Sequence, residues 1–283
     1  DEVSVHATTG ATSVVVEGEG AGNVEQGEDN LVVRALRLAL DRVGAPQVGV
    51  RMHCTNRIPH SRGLGSSASA IVAGVTLARA LIGDADVLGR QEILEIGSHM
   101  EGHPDNVAPA VFGGATVSWM NEETSEVGSV RLTPPEGINP VAFIPDFELR
   151  TAAARAALPA TVPHGDASFN VARGALLAAV LSGGAQVSGG ADLHALLMEA
   201  TRDRLHQEQR RAAMEPSLAL VDWLRGAGFA AVVSGAGPTV LSLEKVGADI
   251  RRDAAGAGWR VVPLAVAASG VQITRGSLAK VEF

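Results

Sequence analysis

Residues 62–70 read RGLGSSASA: two glycines around one leucine, then three serines in four positions, running straight into the apolar segment 71–82. Small side chains and free backbone at the mouth of a helix suit three kinds of phosphate loop. A Walker A loop needs Lys-Ser or Lys-Thr after its second glycine, and no lysine is present. A dinucleotide fingerprint would use Gly63, Gly65 and Ala68, but its first glycine belongs at a strand end. Here the preceding strand ends near Thr55, NRIPHSR intervenes, and no acidic residue closes a second strand further on. The third kind is a plain helix-start anion site. Gly63 and Gly65 let the backbone come close to a ligand. The first-turn amides at Ser66, Ser67 and Ala68 then face outward at the positive end of the helix dipole. The Ser66 hydroxyl is free for a metal or a phosphate oxygen. Taken alone, the residues suit a glycine turn with a serine N-cap equally well.

Outward from this stretch, 1–20 alternates loosely and predicts a hairpin of two strands. A helix follows over 31–43. Leu31, Ala35, Leu38 and Arg42 fall on one face, with Val32, Leu36, Ala39 and Val43 beside it. Asp29 or Asn30 caps its start, and Gly44 with Pro46 ends it. QVGVRMHCT reads as a strand. Beyond the loop, Ile71, Val75, Ala78 and Ile82 form one helical stripe, RQEILEIGSHMEG a further helix, and VFGGATVSW a strand with a Gly-Gly kink. TPPEGINP is the best domain boundary. After a strand at VAFIP, helices are predicted at about 168–182, 192–213 and 216–225. FAAVVSGAGPTVLSL reads as strand, glycine turn, strand, and WRVVPLAVAASGVQITR as one or two last strands. Helices and strands mix without regular βαβ alternation, so the fold class is α+β.

The chain has 283 residues, 46% of them apolar, with no tyrosine, so its core is built from Ala, Val, Leu and Ile. A formal net charge of −8, with no block of Lys and Arg, argues against nucleic acid or an anionic membrane as partner. No apolar run is long enough to span a bilayer. Cys54 is the single cysteine, which fits a reducing cytosol and a half-buried place on a strand.

PHSRGLGSSAS, 59–69, resembles the phosphate loop of the GHMP small-molecule kinases (galactose, homoserine, mevalonate and phosphomevalonate kinases). EGHPDNVAPAVFGG, 101–114, resembles the homoserine kinases among them, and SGAGPTVLSL, 234–243, resembles the family's C-terminal glycine motif. The blocks occur in the family's order and spacing. The resemblance implies a two-domain fold: an N-terminal split βαβ-type domain over 1–137 and a ferredoxin-like C-terminal domain over 138–283. It implies ATP and Mg²⁺ as cofactors, L-homoserine as substrate, O-phospho-L-homoserine as product, and a homodimer as the family's habit.

Residue by residue, the resemblance gives ATP binding to Pro59, Ser61, Arg62, Gly63, Leu64, Gly65, Ser66, Ser67, Ala68 and Ser69. Ser66 and a helix glutamate eight positions before His103, Glu95, are the metal-side pair, with Glu101 as the alternative. His103, Asp105 and Asn106 face the acceptor, Asp105 orienting or deprotonating its hydroxyl. Thr151 and Arg155 match positions that meet the substrate carboxylate. Arg210 matches a second carboxylate arginine, with Arg211 and Arg204 as neighbours. Asn170 and Arg173 support the site, and Gly235 with Gly237 brings backbone amides to the substrate. The family's first motif, an Asn- and Gly-rich block ahead of the strand that DEVSV resembles, does not occur in these residues. With Asp rather than Met at position 1, the reading frame is expected to begin upstream.

Two rival readings come from other classes. Glu95, His99 and His103 lie four apart, as helix-borne zinc ligands would, but Gly102 and Pro104 end that helix before His103. A non-catalytic ATP-binding sensor, or a mevalonate-type kinase, would share the fold. Against a sensor, Ser66, Glu95, Asp105 and Arg155 all carry competent side chains.

Overall fold

The computed structural model describes residues 1–84, 86–184, 192–275 and 279–282. The chain divides into two compact units: Asp1–His60 with Gly65–Arg131 and Ala267–Phe283, and Ser61–Leu64 with Leu132–Val266.

In the first unit, strands β1 (Glu2–Thr8) and β2 (Ser13–Gly18) form where the sequence alternates, but not as a hairpin. Helix α1 (Leu31–Arg42) leads into β3 (Gly49–Asn56), which lies between them, parallel to β2 and antiparallel to β1. A helical crossover demands parallel neighbours, so β1 takes the other edge of β3. The short link from β1 to β2 then crosses the start of β3, where a Cβ on Gly49 would stand 2.0 Å from the Gly10 carbonyl oxygen. Asn30 caps α1 by accepting from the Val32 amide at 3.0 Å. Val32, Val33, Ala35, Leu36, Ala39 and Leu40 are buried, while Leu38 is 45% exposed. The inward face is therefore the stripe next to the one starting at Leu31.

Helix α2 (Ser66–Ile82) has buried residues on every face, as an apolar helix without an amphipathic stripe should. It packs against α1 so closely that a Cβ on Gly74 would lie 2.3 Å from the Val32 carbonyl oxygen. Helix α3 (Arg90–Glu101) ends at Gly102 in the left-handed region, φ +88°. The segment expected to be a kinked strand is instead a short helix, α4 (Val107–Phe112), closed by Gly113 and Gly114, followed by strand β4 (Ala115–Met120) and its partner β5 (Val127–Leu132). Two successive left-handed glycines end a helix more readily than they bend a strand.

The second unit opens with the fully buried strand β6 (Val141–Ile144) and two helices, α5 (Thr151–Ala156) and α6 (His164–Leu181). The helix expected over 192–213 is broken into α7 (Leu193–Ala200) and a 3-10 turn, Glu208–Ala213. Between them the Asp203 carboxylate accepts from the amides of His206 at 2.8 Å and Gln207 at 2.7 Å, a local bond that competes with helix continuation. Helix α8 (Glu215–Gly226) leads to β7 (Ala231–Val233) and β8 (Val240–Ser242), then α9 (Ala248–Gly256) and β9 (Arg260–Pro263). The antiparallel order β7-β8-β6-β9 with helices after β6 and β8 is a ferredoxin-like arrangement. The last strands, β10 (Gln272–Arg275) and β11 (Ala279–Glu282), return to the first unit, whose sheet runs β10-β11-β1-β3-β2. The chain end thus lies outside the second domain expected for it, because β1 offers an open edge for antiparallel pairing.

Candidate active site

In the first unit, α2 begins with Gly65 as N-cap at φ +76° and receives no side-chain cap. The serine N-cap is therefore not what the loop provides. Ser69 donates its amide to the Gly65 carbonyl at 3.0 Å, so the preceding first-turn amides are the ones left for an outside acceptor. Ser66 is half-buried and Ser67 exposed. Ser67 Oγ donates to Glu101 Oε2 at 2.7 Å. A Cβ on Gly65 would stand 3.5 Å from Asn106 Oδ1, which sets the Asn106 amide beside the helix start.

Of the two glutamates considered for the metal, Glu101 is the one brought to the loop. A Cβ on Gly97 would lie 3.7 Å from Ile71 Cγ2, so the 97/101 face of α3 is turned to α2. Glu95 sits about 200° around the helix from Gly97. Its Oε1 accepts from Gln91 Nε2 at 2.9 Å, and Gln91 also reaches the Val127 carbonyl at 2.8 Å. The three residues of the zinc reading diverge as well. His99 Nε2 lies 2.9 Å from the Ser125 carbonyl, and His103 Nδ1 lies 2.5 Å from Asp105 Oδ1. The Asp105 side chain remains largely exposed and His103 mostly buried, so the imidazole steadies a carboxylate that faces outward. Pro59 is buried, and Ser69 reaches Asp1 Oδ2 at 3.5 Å. Asp1 Oδ1 in turn accepts from the Arg57 and Ile58 amides, at 2.6 and 3.0 Å. No sequence signal marked Asp1.

In the second unit, residues 61–64 are held by the C-terminal glycine motif. Ser234 Oγ donates to the Gly63 carbonyl at 2.8 Å, and the Thr239 amide to the Arg62 carbonyl at 3.2 Å. A Cβ on Gly63, at φ +73°, would meet the Ser234 oxygen at 2.3 Å. Arg62 spends its guanidinium on the carbonyls of Pro145 and Asp146, at 3.0 and 2.7 Å, and on Glu148 at 3.3 Å. In this structure it is a strut for the loop. Ser234 was legible only as part of SGAGPT; its bond to Gly63 was not.

The three arginines differ in their partners. Arg211 is held by Glu208 and Asp222, and Arg204 by Asp166 and the Phe169 ring, 3.9 Å from its centroid. Arg173 lies over the same ring and pairs with Glu199, bracing α6 against α7, and Asn170 donates to Asp203 at 2.7 Å, bracing α6 against the turn at 203. Burial tends to raise the pKa of Asp203, but the bonds from His206, Gln207 and Asn170 hold it well below the usual carboxylate range. Arg210 is buried, its Nε donating to the Ala154 carbonyl at 3.1 Å and its Nη1 to Gly235 at 3.2 Å. Burial lowers its pKa, the Asp203 carboxylate opposes that, and the positive charge of Arg155 adds a smaller lowering. Arg155, in the last turn of α5, is exposed, as is Thr151 at the start of that helix. Among the described residues neither Arg155 nor Arg210 has an ion-pair partner. Gly235 and Gly237 both adopt positive φ, +56° and +84°, forming the turn that Arg210 grips.

These features match known proteins across the chain. The family profile for the GHMP kinases N terminal domain matches residues 30–114, and that for the GHMP kinases C terminal matches residues 177–255. A homoserine kinase of Streptomyces avermitilis is 42% identical over 275 residues, 96% of this chain and 87% of that protein. One from Corynebacterium kroppenstedtii is 42% identical over 285 residues, 98% of this chain and 88% of its own. The crystal structure of homoserine kinase from Cytophaga hutchinsonii shares the fold with a TM-score of 0.80 at 21% identity, covering 95% of this chain and 87% of that one. By the order of its motifs, its two units and its sequence, the chain belongs to the GHMP kinase family and groups there with the homoserine kinases.

Proposed function

We propose that this chain transfers the γ-phosphoryl group of ATP to the side-chain hydroxyl of L-homoserine, releasing ADP and O-phospho-L-homoserine. The observation that carries the substrate half is the Arg155–Arg210 pair, two guanidinium groups that repel each other and that form no ion pair among the described residues, the Asp203 carboxylate offsetting only part of the charge on Arg210. Such a pair suits a substrate carboxylate, which two planar forks grip better than they would a neutral sugar.

The loop fits a nucleotide's phosphates. Its helix start is uncapped, and Gly65 in the left-handed region puts no side chain over the first-turn amides. Ser66 and Glu101 are the groups suited to hold Mg²⁺, with Glu95 the competing choice from the sequence. The ion, when bound, neutralises phosphate charge. The residues do the rest. The α2 amides orient the phosphates. Arg155 and Arg210 fix the substrate's carboxylate end. Asp105, held by His103, accepts the hydrogen bond of the acceptor hydroxyl. The hydroxyl oxygen bonds to the γ-phosphorus as the bond to the β–γ bridging oxygen breaks, and the hydroxyl proton leaves toward Asp105. Phosphoryl transfer runs through a loose transition state, so positioning and charge carry most of the acceleration.

The test is ADP release with ATP, Mg²⁺ and a panel of acceptors: L-homoserine, its carboxylate-free analogue 2-amino-1,4-butanediol, mevalonate and galactose. L-homoserine should give the highest kcat/KM. Arg155→Ala should raise KM for L-homoserine about tenfold or more and leave the butanediol analogue nearly unaffected. Equal losses on both acceptors would remove Arg155 from the carboxylate role. Turnover of mevalonate above L-homoserine, or binding with no turnover, would overturn the assignment.

A further inference from the structure

At its far end from the phosphate loop, α2 borders a cavity of about 520 Å³ formed wholly within the first unit. Thr76 and Arg79 of α2, Arg90 and Ile93 of α3, and Val271 and Ile273 of the returning chain line it. We propose that this cavity binds a small organic carboxylate with an apolar body, its carboxylate on Arg90 and Thr76 and its body against Ile93, Val271 and Ile273.

Three observations converge on this chemistry. Thr76 is 2% exposed, yet its Oγ1 is buried with no hydrogen-bond partner. A threonine inside a helix can satisfy its hydroxyl on the carbonyl four residues back, so an orphaned one in a cavity wall asks for an outside partner. Arg90, at the first position of α3, has no hydrogen-bond or ion-pair partner among the described residues. The carboxylates near it are occupied by backbone: Glu92 accepts from the Gly89 amide at 2.8 Å, and Asp84 from the Asp86 amide at 2.9 Å. Arg79, which already has a partner, adds a second positive charge to the wall. Asp84 also lines the cavity, so Arg79 and Arg90 leave the wall one net positive charge, which in a chain of formal charge −8 favours an anion. The apolar half selects an organic anion over an inorganic one, since Ile93 is 1% and Val271 7% exposed and both border the space. Thr76 lies ten residues along α2 from Ser66, about 15 Å at the helical rise, so this ligand would not compete for the loop.

The test uses the full chain labelled at isoleucine methyl groups and titrated with hexanoate, with its neutral amide hexanamide, and with sulfate. Hexanoate should shift the Ile93 and Ile273 methyl signals saturably. Hexanamide should bind about tenfold more weakly or worse, and Arg90→Gln should weaken hexanoate by a similar factor. Thr76→Val removes only the unpartnered hydroxyl, so it should keep the fold and its melting temperature while weakening hexanoate about threefold or more. Hexanamide binding as well as hexanoate, sulfate abolishing the shifts at equal concentration, unchanged affinity in both variants, or no saturable shift would each overturn the proposal.

Discussion

Single residues decide whether the phosphate loop can close. Gly63 and Gly65 share a left-handed backbone, φ +73° and +76°, but not the same surroundings. At Gly65 the nearest atom to a new Cβ would be Asn106 Oδ1 at 3.5 Å, an ordinary contact. At Gly63 it would be the Ser234 carbonyl oxygen at 2.3 Å, backbone that cannot turn aside. Gly65→Ala should therefore lose only the left-handed strain, about 1–2 kcal/mol. Gly63→Ala should lose that and the packing of the loop on the SGAGPT turn, about 3 kcal/mol or more. Urea unfolding of both variants checks this, and equal losses would remove the close approach as the reason for Gly63. Cys54 makes a second prediction at this scale. It is 2% exposed on β3, more deeply placed than a half-buried strand residue, and burial pushes its thiol from 9.0 up to about 11. At pH 8 only about one thiol in a thousand is ionised, so iodoacetamide should leave the native chain unmodified and label it on unfolding. Because the folded value lies above the unfolded one, this thiol leaves stability unchanged below pH 9 and erodes it as pH rises through 9 to about 11. Rapid native labelling at pH 8 would contradict the burial.

At the scale of elements, the loop and its helix were legible because glycine, serine and apolar periodicity point the same way there. Helix α3 was legible too, but not which of its glutamates faces α2. Counting along the chain favours Glu95; the helix itself turns Gly97 and Glu101 toward α2 and leaves Glu95 bonded to Gln91. Spacing in sequence becomes a direction in space only once the packing face is known, and Gly97 is the residue that reveals it. Glu101→Gln should lower kcat about a hundredfold and raise the Mg²⁺ concentration needed for half the maximal rate. Glu95→Gln should change both by less than about threefold. The reverse result would return the metal to Glu95. Two elements were misread from pattern for a related reason. A kinked strand at VFGGATVSW and one long helix over 192–213 are both reasonable by pattern. Paired left-handed glycines and an Asp203 carboxylate bound to backbone amides override those patterns.

Across the whole molecule, the largest surprise is where the chain goes after β9. Composition placed a boundary near TPPEGINP, with the domains meeting at 137/138, whereas the compact units divide between Arg131 and Leu132, just before that stretch. Nothing in WRVVPLAVAASGVQITR says that its later half belongs to the other unit. Strand pairing is a long-range property, and the alternation in QITR is equally compatible with either sheet. The consequence is mechanical as well as topological. β1 pairs with β3 on one side and β11 on the other, and its Val3 and Val5 are both 2% exposed. The link back is reinforced before the strands begin, because Arg131 Nη2 donates to the Ala268 carbonyl at 2.7 Å and the Gly114 amide to Ala267 at 2.7 Å. A chain ended after Val266 keeps every strand of the β7-β8-β6-β9 sheet but leaves β1 as a bare edge and strips Val271 from the core around α2. Unpaired edges aggregate, and the lost cover removes hydrophobic burial from the unit that carries Ser66. The shortened chain should melt at least several degrees lower and self-associate on sizing columns, while retaining the helical circular dichroism of its second unit. If it instead melts as the full chain does and stays monodisperse, β10 and β11 are appendages rather than part of the sheet that supports α2.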